Sequence, residues 1–479
     1  MTSYSARELL RHVDVVEAAG CLDRAVRQLR YDSRRVSAGD LFVAVKGKRC
    51  DGHAFLSQAY ERGAQAAVGQ GPFDPPAGFG YVRVADSQRA LSQLAAACYG
   101  HPFQRLFTVG VTGTKGKTSV SHLCAALFDD AVCLSTIVNP SCGLPNTTPP
   151  APELQRLARE ALDAGKRRIV LEISAHGLVQ HRVSDVKVDV AVFTNLSQDH
   201  FDDFSGFEDY FQAKAALFTR LHPQVAVINA DDAYGRRLIR QTAAPVTYGL
   251  SPQSAVRARN VRLNPRGSTL DVDTPAGSFT LQSALPGRFN VYNLLAATAA
   301  GVCAGVPVDR IRSRLESVRG LPGRFERLRT PEGVEVIVDF AHSPDSLEQM
   351  IRFLKDHYPR VLTVFGCGGE SDPFKRPLMG RISGTWSDHT LLTHDNPKHE
   401  DPQTILSQIE QGLRMVRASY EVIPERDHAI RRALQRARAG DCVLVAGKGH
   451  ETTQIFADRV VPFNDADYLK AHCGAIACR

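Results

Sequence analysis

No uninterrupted apolar run reaches the roughly 18 residues that a membrane-crossing helix needs, so no membrane insertion is expected. The first residues, MTSYSARELLRHVDVVEAAG, lack the basic start and apolar stretch of a secretory signal and read as an amphipathic helix. A cytoplasmic protein is expected. Eleven cysteines include no Cys-x-x-Cys pair, which fits neither a zinc ribbon nor a disulfide framework. They read as small buried residues in a reducing compartment; nothing makes Cys473 or Cys478 chemical. Internal repeats and low-complexity segments are absent. The net charge of +7 is spread along the chain rather than gathered in one patch. That speaks against nucleic-acid binding and for a mildly basic surface with a site for anionic substrates.

Hydrophobic residues make up 43% and charged residues 23% of the chain, the balance of a soluble globular protein. A chain of 479 residues is too long for one core, and about three domains are expected. Residues 1–105 mix short helices and strands, with a strand in DLFVAVKG (40–47) and a helix in SQRALSQLAAACYG (87–100). GHPFQRL (100–106) marks a boundary. From 106 to 320, apolar strands alternate with helical patterns: LFTVGV (106–111), RIVLEIS (168–174), VDVAVFTNL (188–196) and QVAVIN (224–229). Such continuous runs suit a parallel α/β sheet buried on both faces. From 321 to 479 the alternation repeats, with strands in VEVIVDF (334–340), RVLTVFG (360–366), HTLLTHD (389–395) and DCVLVAG (441–447). SLEQMIRFLKDHY (346–358) and HAIRRALQRARAG (428–440) supply helices between them. This block reads as a second, smaller nucleotide-fold domain.

GVTGTKGKTS (110–119) sits between a strand and a helical pattern, TSVSHLCAALFDD. Gly113 and Gly116 let the backbone curl so that its N–H groups converge on phosphate oxygens, and the helix N-terminus adds positive potential. Lys117 would reach the β- and γ-phosphates and the Thr118 hydroxyl would bind Mg²⁺. The spacing departs from the usual P-loop, which wants glycine at the position of Val111; Gly110 stands one residue earlier. A nucleoside triphosphate is the expected ligand. Glu172 closes an apolar strand, where a parallel sheet delivers side chains to its ligand edge. Burial of an unpaired carboxylate is costly, so it serves either an ion pair or a cation.

TGTKGKTS resembles the ATP loop of the Mur ligase family. LEISAHGLVQHR (171–182), FTNLSQDHFDDF (193–204), GRFNVYNLLAA (287–297), PGRFERL (322–328), VDFAHSPDSL (338–347), FGCGGESDPFKRPLMG (365–380), DNPKHEDP (395–402) and AGKGHE (446–451) extend the likeness over most of the chain, beginning at YDSRRVSAGDLFVAVKG (31–47). Together they resemble the branch that adds the third amino acid to UDP-MurNAc-L-Ala-D-Glu. The resemblance implies a three-domain Mur ligase architecture: an N-terminal domain for the UDP end (1–105), a central P-loop parallel-sheet ATPase domain (106–320) and a C-terminal Rossmann-like domain (321–479). It implies an ATP-dependent amide-forming ligase that works through an acyl phosphate. Its substrates would be UDP-MurNAc-L-Ala-D-Glu and a diamino acid.

The resemblance also assigns residues. Lys117, Glu172, His200 and Lys214 would be catalytic. Two Mg²⁺ ions would be held by Thr118, Glu172, His200 and Lys214, the last as a CO₂-derived carbamate. Without the resemblance, His200 reads as structural and Lys214 as a solvated helix lysine. ATP would be held by Gly113, Thr114, Lys115, Gly116, Lys117, Thr118 and Ser119, with Asn290, Arg324, Asp339 and His342; the last two also admit a structural role. The UDP-sugar dipeptide would meet Ser33, Asn146, Thr147, Thr148, Ser174, Gln180 and Arg182. Arg376, Asp395, Asn396, Pro397, Lys398, Gly447 and Glu451 would hold the incoming amino acid.

Two positions depart from the pattern. DNPK carries Lys398 where diaminopimelate-adding enzymes have arginine, and GGESD carries Ser371 where arginine is familiar. Arg376 and the GHE stretch agree with the diaminopimelate type, so meso-2,6-diaminopimelate is the expected substrate, with L-Lys, ornithine or another diamino acid as alternatives. A paralogous amide ligase outside wall synthesis, a folylpolyglutamate synthase-like ligase, a silent UDP-peptide binder and a regulatory NTPase are the competing readings. A monomer is expected.

Overall fold

The computed structural model describes residues 4–47, 50–144, 146–197 and 204–477. The chain divides into two compact units. The first holds residues 1–196, 210–255 and 296–306; the second holds 197–209, 256–295 and 307–479. The first unit therefore runs across the expected boundary at 105. Among the described residues, no helix is long and apolar enough to cross a membrane.

In the first unit, a five-stranded sheet near the N-terminus runs in the order Val15–Ala19, Gly80–Val84, Ala66–Gly69, Leu41–Val43, Leu29–Arg30. Only the Val15–Ala19 edge strand is antiparallel. This strand replaces most of the amphipathic helix expected there, which shrinks to Ala6–Leu10. The β-branched pairs around Val15 favour an extended chain over a helix. The helix Ser87–Cys98 forms as expected, capped by Asp86, whose carboxylate accepts from the N–H groups of Gln88 and Arg89.

Six parallel strands follow in the order Ala131–Leu134, Arg168–Glu172, Phe107–Thr112, Val190–Phe193, Val225–Asn229, Val246–Gly249. Val190–Phe193 is buried along its whole length, as a strand covered on both faces must be. Burial of each such side chain contributes roughly 1.5–3 kcal/mol. The chain leaves Phe107–Thr112 to build first one side of the sheet and then the other. Register sets Val111 opposite Glu172 and Thr112 opposite Phe193. The C-terminal ends of these three strands thus open at the point where strand order reverses, the place where open α/β sheets bind ligands.

The second unit contains an antiparallel meander, Val256–Asn264, Gly267–Thr274 and Gly277–Ser283. It also contains a seven-stranded sheet in the order Tyr420–Val422, His389–Leu392, Val361–Phe365, Cys442–Ala446, Glu335–Asp339, Glu326–Arg329, Ile476–Ala477. The first five strands are parallel and the last two antiparallel. Apolar cores cover both faces of this sheet. Four of its parallel strands end in the motifs FAHSPD, GCGGESD, THDNPK and GKGHE, which places those loops along one edge.

Candidate active site

In the first unit the phosphate loop leaves Phe107–Thr112 and enters the helix Lys117–Ala126. Gly113 has φ +146°, and a Cβ there would fall 1.8 Å from Thr194 Oγ1, so only glycine fits. The neighbouring strand end pins the loop. Asn195 accepts the Thr114 N–H on its backbone oxygen (2.9 Å) and the Lys115 N–H on Oδ1 (3.0 Å). Thr194 Oγ1 and Asn195 Nδ2 donate to the Lys115 carbonyl at 2.7 and 3.0 Å. Lys117 Nζ donates to the Thr114 carbonyl at 2.8 Å. Gly116 caps the helix and Ser119 lies in its first turn.

Glu172 is buried beneath this loop, and three donors converge on its Oε2: Thr118 Oγ1 (3.0 Å), the Thr136 N–H (2.9 Å) and Thr136 Oγ1 (3.0 Å). Lys214 is also buried, its Nζ donating to the Gly113 carbonyl at 2.7 Å and lying 4.2 Å from the centre of the Tyr210 ring. The expected solvated-helix alternative for Lys214 therefore does not apply. Lys117, Thr118, Glu172 and Lys214 are brought together around one loop. His200 lies outside the described residues.

The polar loop beside Glu172 is similarly fixed. The buried Asn139 amide donates to the carbonyls of Asn146 and Thr147 at 2.7 and 2.9 Å. Thr148 Oγ1 donates to the Glu172 carbonyl at 3.0 Å and lies 3.1 Å from Ser174 Oγ, which caps the short helix Ala175–Val179. Arg182 donates to the Thr148 carbonyl (2.6 Å) and to Gln180 Oε1 (2.5 Å). Burial lowers the Arg182 pKa, opposed by Tyr31 and Glu153. Tyr31 donates to Glu153 Oε1 at 3.0 Å, and burial followed by that carboxylate pushes the phenol well above its ordinary range. Ser33, two residues on, donates to Gln58 Oε1 at 2.8 Å. Of the set expected for the UDP substrate, the residues from Asn146 to Arg182 are tied together by hydrogen bonds, while Ser33 starts the short 3-10 helix Ser33–Arg35 after the strand Leu29–Arg30.

In the second unit, Asn290 is tied into its own helix start: its Nδ2 donates to the Pro286 carbonyl (2.8 Å) and its Oδ1 accepts from Asn293 (3.0 Å). Arg324, Asp339 and His342 meet around Phe340. The Arg324 guanidinium lies 4.5 Å from the ring centre, and the His342 and His450 rings lie at 4.5 and 5.0 Å. Asp339 accepts the Phe325 N–H at 2.8 Å; burial pushes its carboxyl up to about 6 against the pull of Arg324.

The loops expected to hold the amino acid close around a charged cluster. Lys448 Nζ donates to Asn396 Oδ1 (3.0 Å), Glu451 Oε2 (2.9 Å) and the Thr453 carbonyl (2.6 Å). Asn396 Nδ2 donates to the same Glu451 oxygen at 2.7 Å. Asp395 is buried behind them; burial raises its pKa against Lys448 and Arg426. At Gly447, φ is +107° and a Cβ would fall 2.6 Å from Asp395 Oδ2. Lys398, after Pro397, adopts φ +54° and donates its N–H to the Ile455 carbonyl at 2.9 Å.

Arg376 is placed differently from the other amino-acid residues. Its side chain is fully buried, and its fork pairs with both Glu400 oxygens at 2.5 and 2.8 Å. The guanidinium also reaches Gln408 Oε1 (2.8 Å) and the Gly368 carbonyl (3.2 Å). It clamps the GCGGESD loop rather than presenting donors outward. Thr136, Thr194, Asn195 and Lys448 were not singled out from sequence. The last three lie within motifs already quoted, so their positions, though not their roles, were in view.

Three family models match: "Mur ligase family, catalytic domain" over residues 25–99, "Mur ligase middle domain" over 111–301 and "Mur ligase, glutamate ligase domain" over 323–449. A UDP-N-acetylmuramoyl-L-alanyl-D-glutamate--2,6-diaminopimelate ligase of Geobacter sulfurreducens is 41% identical, the match covering 96% of this chain and 97% of that protein. The like-named ligase of Geobacillus thermodenitrificans is 42% identical over 92% of this chain and 94% of its own. A solved structure of a ligase with the same name matches at TM-score 0.68 and 30% identity, covering 98% of both chains.

Proposed function

This chain belongs to the Mur ligase family, and from that premise we propose that it joins meso-2,6-diaminopimelate to the D-Glu of UDP-MurNAc-L-Ala-D-Glu at the expense of ATP. The observation that carries the reading is the gathering of Lys117, Thr118, Glu172 and Lys214 about one phosphate loop. It uses ATP, whose phosphates the loop N–H groups and Lys117 cradle. The γ-carboxylate of D-Glu attacks the γ-phosphorus and ADP leaves. The amine of the amino acid attacks the resulting acyl carbon, phosphate leaves and the amine loses a proton. A carboxylate is a poor electrophile, and phosphorylating one of its oxygens turns that oxygen into part of a phosphate leaving group. Two anions must approach each other first, so cationic screening is needed.

Thr118 Oγ1 and the Glu172 carboxylate form an oxygen donor pair suited to a hard dication. They would hold Mg²⁺, which when bound would screen the phosphate charge. His200 and Lys214 would hold a second ion. Carbamylation by CO₂ would exchange the Lys214 ammonium for an anion with two oxygens, and its burial against the loop suits that exchange. Asn290, Arg324, Asp339 and His342 would be further ATP contacts. Ser33, Asn146, Thr147, Thr148, Ser174, Gln180 and Arg182 would hold the UDP-linked dipeptide. Asn396, Lys398 and Glu451 would face the amino acid, with Asp395, Pro397 and Gly447 shaping the loop and Arg376 clamping it through Glu400. The enzyme would act as a cytoplasmic monomer in peptidoglycan precursor synthesis.

L-Lys or L-ornithine is the second reading, favoured by Lys398, whose point charge lacks the carboxylate-matching fork of arginine. The deciding experiment supplies purified protein with Mg-ATP, UDP-MurNAc-L-Ala-D-Glu and each of the three diamino acids separately. Product is read by mass. A diaminopimelate adduct is expected. Preference for L-Lys or L-ornithine would reassign specificity, and no product with any of them would sink the reading.

A further inference from the structure

Lys448 is fully buried, yet no step of the proposed chemistry uses it. An ammonium has three N–H donors and no acceptor. All three are spent here, on Asn396 Oδ1, Glu451 Oε2 and the Thr453 carbonyl. Nothing remains with which Lys448 could meet a ligand directly. Its partners come from two different loops: Asn396 follows the strand His389–Leu392, while Glu451 and Thr453 follow Cys442–Ala446. The side chain is therefore a bolt between the two loops expected to receive the amino acid.

The bolt also has a polarity. Because an ammonium can only donate, the Asn396 amide must turn its oxygen inward to Lys448. That oxygen accepts the Ile455 N–H as well, at 3.1 Å. The amide nitrogen is thereby forced toward Glu451, to which it donates at 2.7 Å. Glu451 Oε2 is consumed by Lys448 and Asn396 together. Oε1 takes no hydrogen bond among the described residues, and the Glu451 side chain keeps 33% of its exposure. With a neutral residue at 448 the Ile455 N–H and the Glu451 carboxylate would still set the direction of the amide, but the tie that holds Glu451 against Asn396 and Thr453 would be lost and Glu451 would be free to rotate.

We infer that Lys448 is a positioning residue for amino-acid selection: by donating to both Asn396 and Glu451, it holds the two loops together and fixes which carboxylate oxygen is offered to the distal ammonium-bearing end of the diamino acid. This rests on the reading that the chain is a diamino-acid ligase.

The test compares wild type, Lys448→Met, Asn396→Ala and the double variant in the ligation assay, with KM measured for each of the three substrates. Lys448→Met should raise KM for the diamino acid roughly 10- to 100-fold, as loss of hydrogen bonds to charged groups does. KM for ATP and for UDP-MurNAc-L-Ala-D-Glu should stay within about twofold, because no contact to either runs through this side chain. Asn396→Ala should shift the same constant, and the double variant should be no worse than the worse single one, since coupled residues are not additive. Lys448→Gln, one atom shorter, neutral and with two N–H donors, repeats the comparison if the Met variant does not fold. An unchanged diamino-acid KM, a parallel rise in all three constants, or multiplying effects in the double variant would each overturn the inference. A wild type that ligates no diamino acid would instead sink the functional reading, and this one with it.

Discussion

At the end of the central sheet, the phosphate loop is held mainly by backbone groups and short neutral side chains, with the Lys117 and Lys214 ammonium groups each donating to a loop carbonyl rather than to a carboxylate. Thr194 and Asn195 prop the loop at Lys115, while Thr118 and Thr136 donate to the Glu172 carboxylate beneath it. At the end of the second sheet, the loops proposed to receive the amino acid are held by ion pairs with one or both partners buried: Lys448 with Glu451, Arg376 with Glu400, and Arg426 with Asp465. The difference follows from what each loop must do. A phosphate group brings its own charge and asks for N–H donors, which a curled backbone supplies without side chains. A diamino acid must be told apart by the groups at its far end, and that takes charged side chains in fixed places. Fixing a charge inside a protein requires a counter-charge, because an unpaired buried ion is costly.

This contrast predicts that the second unit is the more fragile to charge removal. Arg426 and Asp465 are both fully buried, with a two-pronged contact at 2.7 and 2.8 Å, and Arg426 also donates to the Ala446 carbonyl at 2.9 Å. Arg426→Met would leave Asp465 charged, buried and uncompensated. A stability loss of about 3–5 kcal/mol is expected, read as a lowered urea midpoint by a probe in the second unit. A loss below about 1 kcal/mol would break the comparison, since the pair would then be ornamental.

Glu172→Gln asks the converse question of the first unit. The amide keeps an oxygen for the Thr136 N–H and Thr118 hydroxyl, so the urea midpoint should move little. The negative charge is lost, however, and with it the capacity to hold a dication beside the phosphate loop. A fall in kcat of about 10²- to 10³-fold is expected, the scale on which one electrostatic group at a reacting centre acts. If stability fell as far as activity, Glu172 would be a packing residue, and the division between a neutral frame and a charged one would fail.

The same contrast explains what was legible in the sequence. Parallel strands buried on both faces announce themselves as apolar runs, and RIVLEIS or DCVLVAG became strands within a residue or two at each end. The phosphate loop was legible because glycine, Lys117 and Thr118 are local in sequence. The meander from Val256 to Ser283 went unread. Its strands alternate polar and apolar residues, as Val256–Asn264 does in VRARNVRLN, and period-two alternation was the available signal. The charge clamps were not legible at all. Arg376 and Glu400 lie 24 positions apart, and Arg426 and Asp465 lie 39 apart. Nothing in either neighbourhood names the partner, so Arg376 reads as a ligand for substrate when its fork is already occupied. The N-terminal segment misled for a related reason: HVDVV carries apolar residues at spacings a helix or an edge strand can both use, and pairing with Gly80–Val84 decided the matter.

Within the charged frame, Lys398 is the site where the smallest change should be felt most selectively. Its backbone is already committed, with φ +54° and its N–H on the Ile455 carbonyl. Lys398→Arg meets the same backbone demands and alters only the cationic head. An ammonium meets a carboxylate as a point charge, whereas a guanidinium meets it with two parallel N–H groups. Meso-diaminopimelate carries a carboxylate at its far end and L-Lys does not. The substitution should therefore lower KM for diaminopimelate roughly 3- to 10-fold, the worth of about one added hydrogen bond. KM for L-Lys and for ATP should not move. A change shared by both amino acids would place Lys398 away from the distal carboxylate, and would return the choice between them to Glu451 and the groups that hold it.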